Sequence, residues 1–364
     1  MESILHHGKM LILHAADALS ITGRVGESSW RSQRIAVLCY HGVSLRDEHL
    51  WNSSLYMDQD TFRGRMEWLR DHSYHVLPLA EALALLDAGK LPARSVVLTF
   101  DDGFYDFYER ALPILQEFHF PATLYLTTYY CDHPYPIANL IVRYLLWRGR
   151  GKVVDEARAK FGTVLDLRTP QGVAAAEAAM LGLVALRSLD EQGRNAVAAS
   201  LAEMLQIDYD EILRARMLQP MNPSEVAEAG VAGIDIQLHT HRHRTPEDED
   251  LFLREIRDNR ASITLFTGQN PAHFCYPSGN ARPEFAGWLE KECVQSAVTC
   301  ENGLVARDTN RYFLPRLLDT SHCTIMEFEG EVTGLIPLLR AVAHPRTRGQ
   351  TTTRRIIRSR PAWI

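Results

Sequence analysis

The segment from Ser95 to Gly103 constrains the fold of this 364-residue chain more than any other. It begins with the apolar run Val96-Val97-Leu98 and ends in two adjacent carboxylates, Asp101 and Asp102, before a glycine. A short apolar run bounded by a turn signal predicts a buried strand. Ionised carboxylates are costly to bury unless they are paired or bind a metal. Two of them at the end of such a strand therefore indicate either a tight turn or a reactive site.

Strand and helix patterns alternate on both sides of this segment. The other predicted strands are Arg34–Tyr40, Tyr74–Leu79, Ala122–Thr127, Ile234–Leu238, Ala272–Tyr276, Ser296–Cys300 and Tyr312–Leu314. Helical patterns separate most of them, and this alternation predicts an α/β fold with a mainly parallel sheet or barrel.

The chain divides into three parts by pattern. Residues 1–33 predict an amphipathic helix around Met10–Leu19 and then a linker, and residues 34–344 hold the α/β unit. Within that unit, residues 136–219 show only helical patterns, including one around Val153–Phe161. We interpret them as a large helical insertion that serves as a lid, a partner surface or extra packing.

The final segment, residues 345–364, contains six arginines and no acidic residue. We expect it to be a disordered, solvated tail rather than a site for an anionic surface.

Composition excludes several functions. The net charge of −6 gives no reason to expect a nucleic-acid partner. No apolar run approaches the roughly 20 residues of a transmembrane helix. His14 and Asp17 interrupt the first apolar run before a secretory signal could form. The six cysteines are scattered without a C-x-x-C pair, which indicates reduced thiols. We therefore expect a soluble, cytoplasmic protein.

Polar side chains follow four of the predicted strands. They are His41, the pair Asp101 and Asp102, the cluster from His239 to His243, and the turn at Pro277-Ser278-Gly279. In a parallel barrel these strand ends converge on one face. One carboxylate and two imidazoles make a three-ligand set with open positions, typical of a catalytic divalent metal of the zinc or iron type.

The two adjacent acids suit a division of labour. One can bind the metal, and its neighbour can accept a proton from metal-bound water. A metal that lowers the pKa of water and polarises a carbonyl supplies what hydrolysis requires.

Three motifs in this order carry a family resemblance. They are Thr99-Phe100-Asp101-Asp102-Gly103, His239-Thr240-x-x-His243 and Phe274-x-Tyr276-Pro277-x-Gly279. With them the chain resembles the polysaccharide deacetylases of carbohydrate esterase family 4, the NodB type, over about residues 34–130 and 222–320. Tyr40-His41-Gly42-Val43 resembles a first-strand motif of the exopolysaccharide-modifying branch.

The resemblance implies a distorted, incomplete (β/α)7 barrel and removal of N-acetyl groups from hexosamines of a glycan, with release of acetate. It makes Asp101 the catalytic base, and it makes Asp102, His239 and His243 the ligands of a divalent metal, with zinc expected. It also implies that the Thr240 hydroxyl braces the histidine loop and that the Ser278 backbone N–H stabilises the oxyanion. His41, Tyr276 and Ser278 are the expected substrate contacts.

The chain departs from the family pattern near the base. Cys275 occupies the position of an arginine that holds the catalytic aspartate, and a thiol supplies neither the positive charge nor the fork of donors. Arg316, which we predict to follow the last strand, is the candidate replacement. For the general acid, His322 is the candidate by position, and His41 is an alternative that contacts substrate or shuttles protons.

Three functions remain open from sequence. The first is a metal-dependent N-deacetylase acting on an amino-sugar glycan, in exopolysaccharide or cell-envelope metabolism. The second is a small-molecule or nucleotide-sugar amidase on the same fold. The third is a glycan-binding protein with a weakened site, against which the intact acids and histidines argue.

Overall fold

The structure, a computed structural model, describes residues 10–11, 13–16, 18–155, 160–186 and 189–343. Seven parallel strands form a closed ring in chain order, because the first strand pairs with both the second and the seventh. The ring strands are β1 (Arg34–Tyr40), β2 (Ser95–Asp102), β3 (Ala122–Leu126), β4 (Asp235–Leu238), β5 (His273–Cys275), β6 (Ser296–Asn302) and β7 (Leu314–Leu318). The predicted (β/α)7 barrel is confirmed, and its ring is closed.

Fifteen helices with described bounds surround or extend this ring. They are α1 (Ile21–Gly26), α2 (Ser29–Ser32), α3 (Glu48–Trp51), α4 (Gln59–Asp71), α5 (Leu79–Asp87), α6 (Leu112–Phe118), α7 (Ala138–Arg148), α8 (Pro170–Leu186), α9 (Glu191–Met204), α10 (Tyr209–Arg214), α11 (Pro223–Val231), α12 (Glu249–Thr267), α13 (Pro283–Lys291), α14 (Ile325–Val332) and α15 (Leu335–Ala343). A π-helical turn at Phe107–Ala111 precedes α6, and a 3-10 turn at Pro277–Gly279 follows β5.

Six short strands complete the secondary structure of the described residues. His75–Val76 extends the sheet beside β2, and Val305–Ala306 pairs antiparallel with the start of β1. Gly42–Val43 pairs with Tyr56–Met57 just beyond the end of β1. No helix among the described residues is long and apolar enough to cross a bilayer.

The central strand β2 is buried along its whole length, which explains its apolar composition. Side chains alternate across a strand, so Leu98 and Phe100 pack outward beneath the helices. Val97 faces the opposite way and shares a core with Tyr125 and Cys275. Asp101 has the parity of Val97 and therefore points into the barrel.

Strand register sets the height of the polar residues. Asp102 lies opposite Leu126 on β3, and Leu126 lies opposite Leu238 on β4. His239 therefore begins its loop one residue above the level of Asp102. The carboxyl ends of these strands form one face, as the sequence predicted.

The insertion has its own hydrophobic core, built on α7 to α10. Val153–Val154 pairs with Leu165–Asp166 as an antiparallel hairpin, so the helical prediction there was wrong at its start. The insertion is fixed beside the face formed by the carboxyl ends of the barrel strands. The Tyr105 N–H donates to the Gln219 carbonyl, and Trp51 packs against Tyr144.

Residues 18–33 are part of the packed domain and do not form a linker. Two short helices, α1 and α2, occupy the predicted linker. Arg31 is fully buried and donates to the carbonyls of Val332, Arg34 and Ser95. The predicted disordered tail, residues 345–364, lies outside the described residues.

Candidate metal centre and active site

The base candidate Asp101 is held by a buried arginine. Arg316 Nη1 donates to Asp101 Oδ1 and Nη2 donates to Oδ2, both at 2.7 Å. Such a two-pronged pair fixes both the charge and the orientation of the carboxylate. Each side chain is almost completely buried.

Arg316 lies within β7, so the prediction that it follows the last strand was wrong. The strand begins at Leu314, whose side chain lies in the same core as Val97, and two residues later Arg316 also points inward. Its Nε donates to the Thr299 carbonyl at 3.0 Å, and Nη1 also donates to Thr99 Oγ1 at 3.2 Å. The guanidinium is therefore held by residues of two other barrel strands, β2 and β6.

Cys275 lies beside this pair. Its Sγ is 3.5 Å from Asp101 Oδ2 and 3.3 Å from Arg316 Nη2. Burial raises the pKa of the Cys275 thiol well above its usual range, so the group stays neutral. A small neutral side chain on β5 leaves room for the guanidinium that arrives from β7.

Burial alone would raise the pKa of Asp101, but the charge and hydrogen bonds of Arg316 outweigh it and hold the pKa at about 2. At Asp102, burial also raises the pKa, but the two neighbouring histidines outweigh it. The pKa of this carboxyl therefore lies well below its usual range. Both acids are therefore ionised at neutral pH.

Asp102, His239 and His243 converge as predicted. Their ligand atoms all lie within 4.8 Å of one another. Asp102 Oδ1 is 3.3 Å from His239 Nε2 and 3.2 Å from His243 Nε2. Two ligands bound at 2.0–2.1 Å to a tetrahedral zinc are about 3.3 Å apart, so this spacing suits a shared cation.

The donor set also fits a cation chemically. Both Asp102 oxygens are buried, and neither accepts a hydrogen bond from any described residue. His239 Nδ1 lies 2.9 Å from the Cys275 carbonyl, which can only accept, so the proton is on Nδ1 and Nε2 presents a lone pair toward Asp102. Such an outer partner typically orients a metal-binding histidine.

Helix α12 supports the histidine loop with two buried polar residues that sequence reasoning missed. Asn259 Oδ1 accepts from the His239 N–H at 2.9 Å, and its Nδ2 donates to the Leu126 carbonyl at 2.9 Å. One turn earlier, Glu255 accepts from the Arg242 N–H at 2.7 Å. The signal was available, because Asn259 falls on the apolar stripe of an amphipathic helix.

Four residues of the site adopt positive φ angles although they are not glycine. The angles are 78° at Asp102, 63° at Thr240, 53° at His243 and 56° at Ser278. Such conformations are costly and persist where the surroundings enforce them, typically at functional sites. The Arg244 N–H donates to Thr240 Oγ1 at 3.0 Å, so the threonine hydroxyl does brace this loop.

The two general-acid candidates occupy different surroundings. His41 Nε2 is 3.8 Å from Asp101 Oδ2, and the side chain is 15% exposed. His322 is exposed and forms a hydrogen bond with Ser53. The structure thus brings His41, and not His322, against the base.

The two predicted substrate contacts after β5 also differ. The Tyr276 side chain is fully buried among aromatic rings, and its hydroxyl donates to the Tyr312 carbonyl at 3.0 Å. The prediction that this side chain contacts substrate was therefore wrong. Ser278 is exposed on the turn that follows.

A further buried acid, Asp106, supports the loop of His41. Asp106 Oδ1 accepts from the Val43 N–H at 3.4 Å. Gly42 is required between them, because a Cβ there would lie 2.4 Å from the Tyr56 ring. Burial and the nearby Glu48 raise the pKa of Asp106 well above its usual range. Sequence reasoning missed this residue, which lies four positions after Asp102.

Comparisons with known proteins agree with this geometry. A sequence model of the family described as Polysaccharide deacetylase matches residues 88–149 and 185–291. The matched segments contain Asp101, Asp102, His239 and His243, whereas Arg316 lies beyond them.

Curated relatives match over short segments. The chain is 34% identical over 99 residues to a poly-beta-1,6-N-acetyl-D-glucosamine N-deacetylase of Escherichia coli (strain K12), covering 27% of this chain and 14% of that protein. It is 39% identical over 71 residues to the protein of that name in Staphylococcus epidermidis, covering 20% and 24%. Thus the chain spans less than a quarter of the length of these relatives.

Solved structures share the fold. The Streptococcus pyogenes deacetylase PplD in complex with acetate superposes with a TM-score of 0.55 at 18% identity, covering 82% of this chain and 98% of that one. IcaB from Ammonifex degensii gives a TM-score of 0.50 at 16% identity, covering 82% and 97%.

Proposed function

Because the chain belongs to the polysaccharide deacetylase family, we propose that it is a metal-dependent hydrolase that removes N-acetyl groups from amino-sugar residues of a glycan. One observation carries the proposal. An ionised carboxylate held by Arg316 lies directly beside a buried set of one aspartate and two histidines with metal-ligand spacing. A hydrolase needs both parts, and a binding protein has no chemical use for the first.

Asp102, His239 and His243 would hold the metal. When bound, a divalent cation there would lower the pKa of water and polarise the amide carbonyl. We propose zinc, since imidazole and carboxylate donors at this spacing suit it. Metal analysis of the purified protein tests that assignment.

Asp101 would take up the proton of the attacking water. Its carboxylate is kept ionised and in one orientation by Arg316, which replaces the cation that Cys275 cannot supply. His41 would deliver a proton to the departing amine, because its Nε2 lies beside Asp101 Oδ2 at the partly exposed edge of the site. The Ser278 backbone N–H remains our candidate for the oxyanion.

For the substrate class we propose an N-acetylhexosamine polymer of exopolysaccharide or cell-envelope metabolism. The support comes from the similar proteins of Escherichia coli and Staphylococcus epidermidis, which are deacetylases of poly-beta-1,6-N-acetyl-D-glucosamine.

Acetate release from defined substrates tests the proposal. The metal-loaded protein would be incubated with β-1,6-linked N-acetylglucosamine oligomers, the free sugar and UDP-N-acetylglucosamine, with chelated protein as the control. We expect release from the oligomers that stops on chelation and returns with zinc. Release from the free or nucleotide sugar alone would support the amidase alternative, and metal binding without any release would support the glycan-binding one.

A further inference from the structure

A second group of metal-ligating side chains surrounds the catalytic base. Cys39 Sγ and His41 Nε2 each lie 3.8 Å from Asp101 Oδ2. One ligand atom of each of these three residues lies within 4.8 Å of the other two. We call Cys39, His41 and Asp101 the base-side set. Unlike the set built on Asp102, it contains a thiol.

Strand β1 and its register with β2 bring the base-side set together. Cys39 lies opposite Thr99, so His41, which directly follows β1, comes level with Asp101. Side chains two residues apart share a face, and Val37, two residues before Cys39, lies in the core inside the barrel. Cys39 is buried, whereas the His41 side chain is 15% exposed. The set is therefore arranged inside the barrel and opens to solvent at His41.

The spacing and the donor atoms suit a thiophilic divalent cation. Nitrogen and oxygen ligands at about 2.0–2.1 Å and a sulfur ligand at about 2.3 Å from a tetrahedral zinc are about 3.3–3.6 Å apart. The two distances to Asp101 Oδ2 exceed this range by only a few tenths of an ångström. Thiolate and imidazole ligands favour ions such as zinc over magnesium or calcium, which prefer oxygen.

We propose that the base-side set binds a second, inhibitory ion of this class when such ions are in excess. This inference rests on the proposed function, because the ion acts by occupying its base. Asp101 Oδ2 accepts from Arg316 Nη2, and a carboxylate oxygen has a further lone pair for a cation. The second ion takes that lone pair and the His41 imidazole together, so neither group can move a proton.

Binding exchanges a proton for the ion. Burial raises the pKa of the Cys39 thiol well above its usual range, so the thiol is neutral until a cation arrives. As the sulfur–metal bond forms, the S–H bond breaks and its proton passes to water. Neither the sulfur nor the ion changes its oxidation state.

The two metal sites should fill in order. The base-side set lies against the positive charge of Arg316, and Asp101 adjoins Asp102, where the first ion would bind. Like charges repel, so the second ion should bind more weakly than the first. One equivalent of zinc should therefore activate the enzyme, and excess zinc should inhibit it.

A cobalt titration of the metal-free full chain tests for the second site without measuring activity. Cobalt takes the same types of ligand as zinc. A cobalt–thiolate bond gives a charge-transfer band in the near ultraviolet, which carboxylate and imidazole ligands do not give. We expect this band with the second equivalent and not with the first. Cys39→Ala should lose the band. Cys300→Ala, which removes a thiol 4.0 Å from Arg316 Nη2, should keep it.

Acetate release from N-acetylglucosamine oligomers tests the inhibition. Each protein would be compared with its own rate at one equivalent of zinc. Saturating excess zinc should slow the wild type and Cys300→Ala on the order of 10²-fold, the contribution of a general base. Cys39→Ala should need about 10- to 100-fold more zinc, or more, for the same inhibition. Magnesium at the same excess should not inhibit.

A second substitution guards against misfolding. Melting temperatures would show whether Cys39→Ala folds. Cys39→Ser keeps the size of the side chain, and its hydroxyl is a poor ligand for zinc. It should therefore resist excess zinc as Cys39→Ala does.

The two proposals fail in different ways. No acetate release at any zinc concentration would contradict the proposed function, and the cobalt band alone would then decide whether the base-side set binds an ion. Constant acetate release in excess zinc, with no sulfur band, would overturn the second site. A band or an inhibition that persists equally in the Cys39 variants would also overturn it. A Cys39-dependent band without inhibition would overturn the inhibitory role.

Discussion

At the residue scale, the site depends on how Asp101 stays charged in the barrel interior. Burial alone favours the neutral acid, and Arg316 reverses that preference. The arginine comes from β7 and not from the end of β5, where Cys275 lies. The two-pronged arginine–aspartate pair is therefore made from a different strand than in the family pattern.

Replacing Arg316 with methionine should lower kcat/KM about 10²- to 10³-fold, because the carboxylate loses its charge partner and its orientation. The acid limb of the pH profile should move up, since burial then dominates the pKa of Asp101. The control, Arg316→Lys, keeps the positive charge without the fork of donors. Its kcat/KM should lie between those of the wild type and Arg316→Met. An unshifted acid limb in Arg316→Met would contradict this account.

The wild type and Arg316→Met should show opposite dependences of the free energy of unfolding on pH. In the wild type the pKa of Asp101 is depressed to about 2. The ionised carboxylate therefore stabilises the fold above about pH 4, and this stabilisation is lost as the pH falls toward 2. In Arg316→Met the pKa is raised, so stability declines as pH rises above about 4. Urea unfolding between pH 3 and pH 7 measures how the free energy of unfolding depends on pH in both proteins. The pH values are chosen about a unit or more from the unfolded pKa of aspartate, which is near 4.

His41→Gln and His322→Gln distinguish the two general-acid candidates. We expect His41→Gln to lower kcat about 10²- to 10⁴-fold with little change in KM, because the leaving amine loses its proton donor. His322 lies in solvent against Ser53, so its replacement should change kcat less than about threefold. The reverse order would return the role to His322.

At the scale of elements, α12 links the barrel to the metal loop. Asn259→Ala removes the acceptor for the His239 N–H and the donor to the Leu126 carbonyl. We expect zinc affinity to fall about 10- to 100-fold and the free energy of unfolding to drop by about 1–3 kcal/mol. Ser262→Ala on the same helix is the control. Zinc titration with a competing chelator would show equal affinities if Asn259 is only a packing residue.

Strand ends were predictable from sequence, and their partners were less so. Asp101, Asp102, His239 and His243 stand directly after apolar runs, so local pattern and barrel geometry bring them together. The sequence predicts that the last strand ends at Leu314, before Arg316, yet β7 continues through Pro315 to Leu318. The supporting residue Asn259 required knowing which face of its helix turns toward the loop.

Aromatic residues show the limit of a motif. Tyr276 is a position of the third motif and was expected to contact substrate, but its ring packs against Phe274 and Phe285. Alternation along the strand places neighbours on opposite sides, so adjacency in a motif does not imply adjacency in the site.

At the scale of the whole molecule, metal binding should couple to stability, because the three ligands come from the end of β2 and from the loop after β4. Zinc at about a hundred times its Kd should stabilise the fold by about 2.7 kcal/mol and raise the melting temperature by roughly 5 °C. Asp102→Asn should lose this shift. A zinc shift that survives in Asp102→Asn would place the metal elsewhere.

The most direct test of the central claim compares the two adjacent acids. Bound zinc and acetate release would be measured in Asp101→Asn and Asp102→Asn, with N-acetylglucosamine oligomers as substrate. We predict that Asp101→Asn keeps its zinc and loses acetate release about 10³-fold, whereas Asp102→Asn loses the zinc itself. Undiminished acetate release from Asp101→Asn, or full zinc occupancy in Asp102→Asn, would contradict the account.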